Sequence, residues 1–131
     1  MVAANMKTKH NEVCPLDCTI QIINGKWKSI ILCRLMKNDL RYSELLRSLS
    51  GCTRRMLSLQ LSELIKDRII YKTVDPTFVP IKTTYHLTKV GYSLIPIIKE
   101  MDAWGENYLN IIQNKNNYQN VSKNTHVSVQ S

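Results

Sequence analysis

Two leucine-patterned segments separated by a glycine constrain the fold of this 131-residue chain more than any other feature. In the longer segment, 53–67, three leucines recur at i, i+4 and i+7, which predicts a helix with one buried side: Leu57, Leu61 and Leu64. Thr53 opens this segment and is a favoured N-cap residue. The shorter segment, 43–49, has its own leucine stripe and is broken at Gly51. The pattern predicts a short helix, a tight turn and a longer helix.

The rest of the chain predicts two helices before this pair and one long helix at its end. An apolar face beginning at Ile20 stops at Gly25, a typical C-terminal signal, and residues 26–37 continue as a second, broadly apolar helix. The last helix is expected over about residues 88–114. Pro96 lies inside it, which predicts a kink or an early break.

A hairpin is predicted between the leucine-patterned pair and the last helix. Residues 69–74 and 82–87 are rich in β-branched and aromatic side chains, and two prolines between them exclude one continuous strand. The order of elements is that of a winged helix-turn-helix, an α+β fold that is mainly α. In such a fold the second helix of the pair lies in the major groove of DNA.

The buried leucines identify the opposite face of the longer helix. At 100° per residue, that face lies roughly 140–200° from Leu57. The expected base contacts are on this face, beside it or at the helix start, with Ser58 as the flanking residue: Thr53, Arg54, Arg55, Ser58, Leu59 and Ser62. Arg41 and Lys28 are expected to hold phosphate, and Lys82 is expected to meet phosphate or an adjacent minor groove. The alternative is a solvated polar face with incidental cations.

The net charge of +8 and the pI near 9.5 favour a polyanionic partner. The excess lies in the middle of the chain, with +3 over residues 26–40 and +5 over residues 41–92. A basic but passive surface would have the same composition.

Several function classes are not expected. The chain has no apolar run long enough for a membrane span and no apolar signal-peptide core, so we expect a soluble, cytoplasmic protein. It has no Gly-rich phosphate loop, HExxH or GxSxG motif, so neither an enzyme nor a cofactor is expected. His10, Cys14 and Cys18 recur every four residues, but a fourth ligand is not evident and no metal is expected.

Several motifs in order carry a family resemblance: residues 14–15 (CP), 25–27 (GKW), 40–45 (LRYSEL), 51–57 (GCTRRML), 61–64 (LSEL), 85–91 (YHLTKVG) and 104–105 (WG). From Cys14 to about Tyr108 the chain resembles the HxlR family of bacterial regulators, a branch related to MarR-type winged helices. The resemblance implies a winged helix whose extra N- and C-terminal helices exchange contacts across a homodimer. It also implies a recognition helix starting at Thr53, Arg54 and Arg55, and a wing cation at Lys82.

The four cysteines are expected to be thiols. By the resemblance, Cys14 in the Cys-Pro motif is a candidate sensor of oxidants or electrophiles. Cys52 is a second candidate, because the helix dipole and the neighbouring arginines should favour its thiolate. A disulfide between Cys14 of one subunit and Cys52 of the other could reset the spacing of the two reading helices. The alternative is that these cysteines are structural or incidental, as is expected of Cys33 in the core.

Apolar residues in the first and last helices need cover, which a twofold partner would supply: Ile20, Ile23, Met101, Trp104, Tyr108, Ile111 and Ile112. Folding back onto their own domain is the alternative.

We therefore expect a flexible N-terminus at residues 1–13, a DNA-binding and dimerisation domain at residues 14–114 and a disordered tail at residues 115–131. The expected function is a homodimeric regulator, a repressor, that binds a palindromic double-stranded operator and responds to an oxidant or small-molecule inducer. A winged helix that binds only protein is the alternative.

Overall fold

The computed structural model describes residues 13–114. The flexible N-terminus expected at residues 1–13, apart from Val13, and the tail expected at residues 115–131 lie outside the described residues, as do His10 and His126. The chain divides into two compact units. The first ends at Ile95 and the second begins at Pro96, so the boundary between them lies inside the last helix.

The helices and strands follow the predicted order. They are α1 (Pro15–Ile22), α2 (Lys26–Lys37), β1 (Leu40–Arg41), α3 (Tyr42–Ser48), α4 (Arg54–Lys66), β2 (Ile70–Asp75), β3 (Lys82–Leu87) and α5 (Lys89–Gln113). The winged helix-turn-helix order is therefore confirmed, with α3 and α4 as the helical pair and β2–β3 as the wing. None of the described helices is both long enough and apolar enough to cross a membrane.

The first and last helices differ from expectation. α1 begins at Pro15 rather than at Ile20, because proline at the first helical position needs no hydrogen-bond partner for its missing N–H. α5 continues through Pro96, so of the two expected outcomes the early break is wrong and the kink stays a prediction. The carbonyl that loses its partner belongs to Tyr92, an exposed residue, and can be hydrated instead.

The leucine ridge of α4 lies in the core, as its spacing predicts. Leu57, Leu61 and Leu64 are at most 2% exposed. Each fully buried side chain of this size contributes about 1.5–3 kcal/mol of hydrophobic stabilisation. Completely buried partners come from the neighbouring helices: Ile31, Leu32, Leu35 and Leu45. This packing fixes which side of α4 faces outward.

The three strands form an antiparallel sheet in the order β1-β3-β2. The register places Asp75 opposite Lys82 at the end of the hairpin near its loop. At the other end, the imidazole Nδ1 of His86 lies 3.0 Å from Asp39 Oδ2, and its Nε2 lies 2.8 Å from Thr73 Oγ1. His86 therefore joins both wing strands to the segment that precedes β1.

The junction between α4 and the wing is short and closely bonded. Arg68 adopts a left-handed φ of 61°, and the N–H of Ile69 donates to the carbonyl of Leu64 at 2.9 Å. Thr88, just before α5, donates its hydroxyl to the carbonyls of Arg68 and Ile69 at 2.8 and 3.0 Å. A Cβ at Gly91 would collide with the Ile69 carbonyl, so only glycine allows this approach. One junction thus connects α4, β2 and the start of α5.

Candidate nucleic-acid interface

The outer face of α4 is open to solvent. The side chains expected to contact bases are all exposed: Thr53, Arg54, Arg55, Ser58, Leu59 and Ser62. Leu59 is 52% exposed, so this face also presents an apolar side chain to solvent. The Thr53 hydroxyl accepts a hydrogen bond from the Met56 N–H at 3.1 Å, so the predicted N-cap is confirmed. The capped helix begins with two arginines that face solvent.

Tyr42 fixes the angle between the two helices of the pair, a role that sequence reasoning missed. Its hydroxyl donates to the carbonyl of Arg54 at 3.0 Å. Because that donor is then used, the 2.9 Å contact with Ser58 Oγ has the serine donating to the tyrosine. The first turns of α4 are thereby attached to α3, and the Ser58 oxygen remains free to accept.

Lys28 is not available for phosphate, so the prediction of a phosphate contact there is wrong. Its Nζ lies 2.5 Å from Glu63 Oε1, and only 7% of its side chain is exposed. The signal lies in the sequence of α2: positions i+3, i+4 and i+7 from Lys28 are the fully buried Ile31, Leu32 and Leu35. Lys28 belongs to the buried stripe and joins α2 to α4.

Arg41, at the end of β1, and Lys82, at the start of β3, are the two other cations expected to contact phosphate. Arg41 is half-buried, and its backbone N–H donates to Glu44 Oε1 at 2.8 Å at the start of α3. The Lys82 ammonium lies 4.9 Å from the centroid of the Phe78 ring, a cation–π contact at the tip of the wing. Their role toward phosphate stays a prediction.

Most basic side chains in the described part of the chain have no carboxylate partner. Within residues 13–114, the carboxylates in contact with basic side chains are Glu63, which pairs with Lys28, and Asp39, which lies against the imidazole of His86. Arg54 and Arg55 are therefore unpaired in the described part of the chain. Unpaired guanidiniums at a surface are free to meet phosphate or guanine without first breaking an ion pair.

The cysteines are free thiols that differ in their surroundings. Burial raises the pKa of Cys52, whose Sγ lies 3.7 Å from the Thr53 carbonyl. The expectation that the dipole and the arginines favour a Cys52 thiolate is therefore contradicted: the cost of removing the charge from water is larger. Cys14 is exposed at the N-cap of α1. Cys33 is half-buried rather than fully in the core.

Nowhere in residues 13–114 do three His, Cys, Asp or Glu side chains come together in a way that could hold a metal ion. His10, the first member of the zinc pattern weighed above, lies outside that part of the chain.

The last helix has an apolar stripe that is exposed within the part of the chain that the structure describes. Its members alternate in steps of four and three and are 47–67% exposed: Ile97, Met101, Trp104, Tyr108 and Ile111. The rings of Trp104 and Tyr108 stack along the helix at 5.3 Å. Ile112 beside them is 44% exposed. A repeat of 3.5 residues is the pattern of a helix that packs against another helix.

The first helix shows the same spacing. Leu16 and Ile20 are 69% and 48% exposed, and Ile23 beyond its end is half-buried. Sequence reasoning missed Leu16 because it placed the start of the helix at Ile20. The apolar residues expected at a dimer interface are thus mostly exposed in the single chain.

Comparisons with known proteins agree on one family. A family model described as HxlR-like helix-turn-helix matches residues 22–113. The HTH-type transcriptional regulator YdeP of Bacillus subtilis is 43% identical over 97 residues, which cover 74% of this chain and 75% of that protein. A putative regulatory protein, MalR of Fusobacterium mortiferum, is 38% identical over 78% of this chain and 96% of its own length.

Solved structures of regulators resemble the chain along most of their length. The redox regulator HypR in its reduced form has a TM-score of 0.71 and 37% identity, covering 76% of this chain and 98% of that one. The reduced form of the transcriptional regulator YodB from B. subtilis has a TM-score of 0.64 and 28% identity, covering 72% and 93%.

Proposed function

The chain belongs to the HxlR-like helix-turn-helix family, whose named relatives are transcriptional regulators and not enzymes, and from that premise we propose that it is a homodimeric repressor that binds a palindromic DNA operator. The observation that carries the proposal is that α4 has one buried apolar face and one exposed basic face. Its leucine ridge is buried, while Arg54 and Arg55 face solvent without a carboxylate partner in the described chain.

The outer face of α4 suits the major groove. Arg54 and Arg55, at the start of the helix, can each pair with O6 and N7 of a guanine. Leu59 lies one turn further along and can contact a thymine methyl, and Ser62 can donate or accept. Thr53, Ser58, Arg41 and Lys82 complete the contact surface, the last two through phosphate, which adds affinity without sequence information.

A second copy of the chain is the proposed cover for the apolar stripes of α1 and α5. A heptad stripe that is about half exposed along four turns needs a partner helix, and a twofold axis presents the same stripe from a second copy. Two copies carry two reading helices, and the operator is then an inverted repeat with half-sites about one helical turn apart.

Cys14 is the proposed site of a thiol response. It is exposed at the start of α1, whereas the raised pKa of Cys52 disfavours its thiolate at neutral pH. The Cys14 thiolate attacks a hydroperoxide, forms a sulfenic acid and releases an alcohol or water. The Cys52 thiol of the other subunit then condenses with that sulfenic acid, which forms a disulfide and releases water. The similarity to a protein described as a redox regulator supports this step.

Selection of bound duplexes from a random pool tests the DNA-binding proposal directly. The full-length chain is expected to enrich an inverted repeat, and its affinity for that repeat should fall steeply between 50 and 200 mM salt, roughly 10³-fold or more if six or more phosphates are contacted. The same selection with a hydroperoxide should enrich less DNA or a different spacing. A pool that stays unenriched at low salt contradicts the proposal and favours a protein-binding winged helix.

A further inference from the structure

The tip of the wing is apolar and fully presented to solvent. Residues 78–81 read Phe-Val-Pro-Ile, with no polar side chain among them. Val79 is 98% exposed, Ile81 59% and Phe78 44%. Single exposed apolar residues are common, but a continuous apolar run at the end of a protruding hairpin is not explained by the fold, because it covers no core.

The tip is held in shape by polar contacts at its base. Asp75 Oδ1 accepts the N–H and the hydroxyl of Thr77 at 3.0 and 2.6 Å. Asp75 lies opposite Lys82 in the strand register, and the Lys82 ammonium lies over the Phe78 ring. Pro76 and Pro80 restrict the backbone on either side. The apolar side chains are therefore presented on a restrained loop with a cation beside it.

The length of the wing is comparable with the spacing of DNA grooves. Residues 67–69 alone separate α4 from β2, and the junction there is hydrogen-bonded as described above. A strand of six residues spans about 17 Å. The major groove and the adjacent minor groove lie half a helical turn apart, which is also about 17 Å.

We propose that the wing is an apolar wedge that enters the minor groove beside the half-site and opens a base step there with Val79 and Ile81. The proposal rests on the proposed function, since it needs α4 in the neighbouring major groove. Proteins that bind the minor groove insert apolar side chains between base steps and bend the duplex. Lys82 supplies the charge that brings the tip to phosphate. Four side chains offer far less surface than the ~800 Å² that each partner contributes to a stable protein interface, which favours DNA as the occupant.

A wedge gives sequence preference without hydrogen bonds. Pyrimidine–purine steps unstack most easily, so the operator should prefer TA or CA/TG roughly five base pairs outside the centre of each half-site. Replacing that step by a stiffer one should weaken wild-type binding roughly fivefold or more, the lower end of the usual effect of one mismatched position.

The test uses the full-length chain, a duplex selected by the wild type and that duplex with the step replaced. The wedge variant is V79S/I81S, and the matched control is V74T, which changes an exposed apolar residue of the same hairpin away from its tip. Affinity for both duplexes is measured together with duplex bending, by energy transfer between end labels. Urea unfolding verifies that both variants are folded.

The expected result is that wild type and V74T bend the duplex and discriminate against the stiff step, while V79S/I81S binds both duplexes equally with little bend. A straight duplex under the wild type, or undiminished discrimination by V79S/I81S, overturns the wedge and leaves the DNA-binding proposal intact. Lost regulation in cells with unchanged binding and bending also overturns it, and assigns the tip to a protein partner. Failure to select any duplex overturns the proposed function itself.

Discussion

Lys28 Nζ lies 2.5 Å from Glu63 Oε1, and this contact joins the first turn of α2 to the last turn of α4. The lysine side chain is 7% exposed and the glutamate 45%. A cation this deeply buried needs its partner, because without one it has neither water nor a counter-charge.

Removing the glutamate should therefore cost more than removing the lysine. Glu63→Gln leaves a buried ammonium without its counter-charge and is expected to lower the free energy of unfolding by roughly 1–3 kcal/mol, less than a fully buried pair because Glu63 is partly hydrated. Lys28→Met puts an apolar chain in the apolar stripe and should cost less. Urea denaturation measures both, with Glu106→Gln as an exposed control. A Lys28→Met variant that is the less stable of the two contradicts this account.

Tyr42→Phe tests the bond between α3 and α4. The variant removes the donor to the Arg54 carbonyl and the acceptor from Ser58, at a cost of about 1 kcal/mol in unfolding free energy. Because the start of α4 is then less restrained, operator affinity should fall by roughly fivefold if ordering it on DNA costs a similar energy. Titration of the labelled operator checks this. Tyr92→Phe, at an exposed tyrosine of α5, should change neither quantity.

Arg54→Ala/Arg55→Ala tests the assignment of the reading face. Each lost arginine–guanine pair is worth about 1–3 kcal/mol, so affinity for the selected operator should fall at least tenfold, to the level of unrelated DNA. The dimer should persist, because both side chains are exposed on α4. Fluorescence anisotropy and sedimentation measure the two properties. Arg47→Ala, an exposed arginine of α3, is the matched control, and equal losses in both variants would remove the special role of α4.

The thiol proposal predicts that two cysteines react at different rates. Cys14 should be alkylated faster than Cys52 at pH 7, since it is exposed and burial raises the pKa of Cys52. Mass spectrometry after a short iodoacetamide pulse measures both rates. Cys14→Ser should abolish the effect of hydroperoxide on operator binding, while Cys33→Ser should retain it. An oxidant response that survives Cys14→Ser discards the sensing role.

Tyr85 predicts a loss of stability in alkali. Burial, and after it the neighbouring Tyr42, raises the pKa of Tyr85, so the folded state favours the neutral phenol. An unfolded tyrosine ionises near pH ~10. The stability that the neutral Tyr85 phenol contributes is thus fully present below that pH, and it is lost as the pH rises through the higher pKa of Tyr85 in the folded state. Urea midpoints between pH 8 and pH 11 should fall more steeply for the wild type than for Tyr85→Phe. Parallel curves would contradict the shift.

Much of the fold could be predicted because its signals are local. The leucine spacing and Thr53 predicted α4, and the β-branched runs with intervening prolines predicted the wing. Both depend on the residues of a single element, so neighbours in sequence are enough to reveal them. The exposed face of α4 followed from the buried one.

What could not be predicted depends on contacts between elements. Lys28 was predicted to be exposed because of its charge, although the spacing of the apolar residues in α2 places it on the buried stripe. The hydrogen bonds of Tyr42 join residues 12 and 16 positions apart. For Cys52, burial by the fold outweighs the dipole and charges that the sequence reveals. In each case a tertiary contact decides the chemistry.

The junction at Arg68 and Ile69 limits how a signal can act on this protein. Thr88 and Gly91 hold the beginning of α5 against the same carbonyls from which the wing departs. Up to Ile95, each half of the proposed dimer is therefore expected to move as one body, in which the angle between α4 and the wing is fixed. An inducer that acts through α5 would then change the distance between the two α4 helices without changing either body, and the dimer would leave the operator because the helices no longer match the spacing of the half-sites.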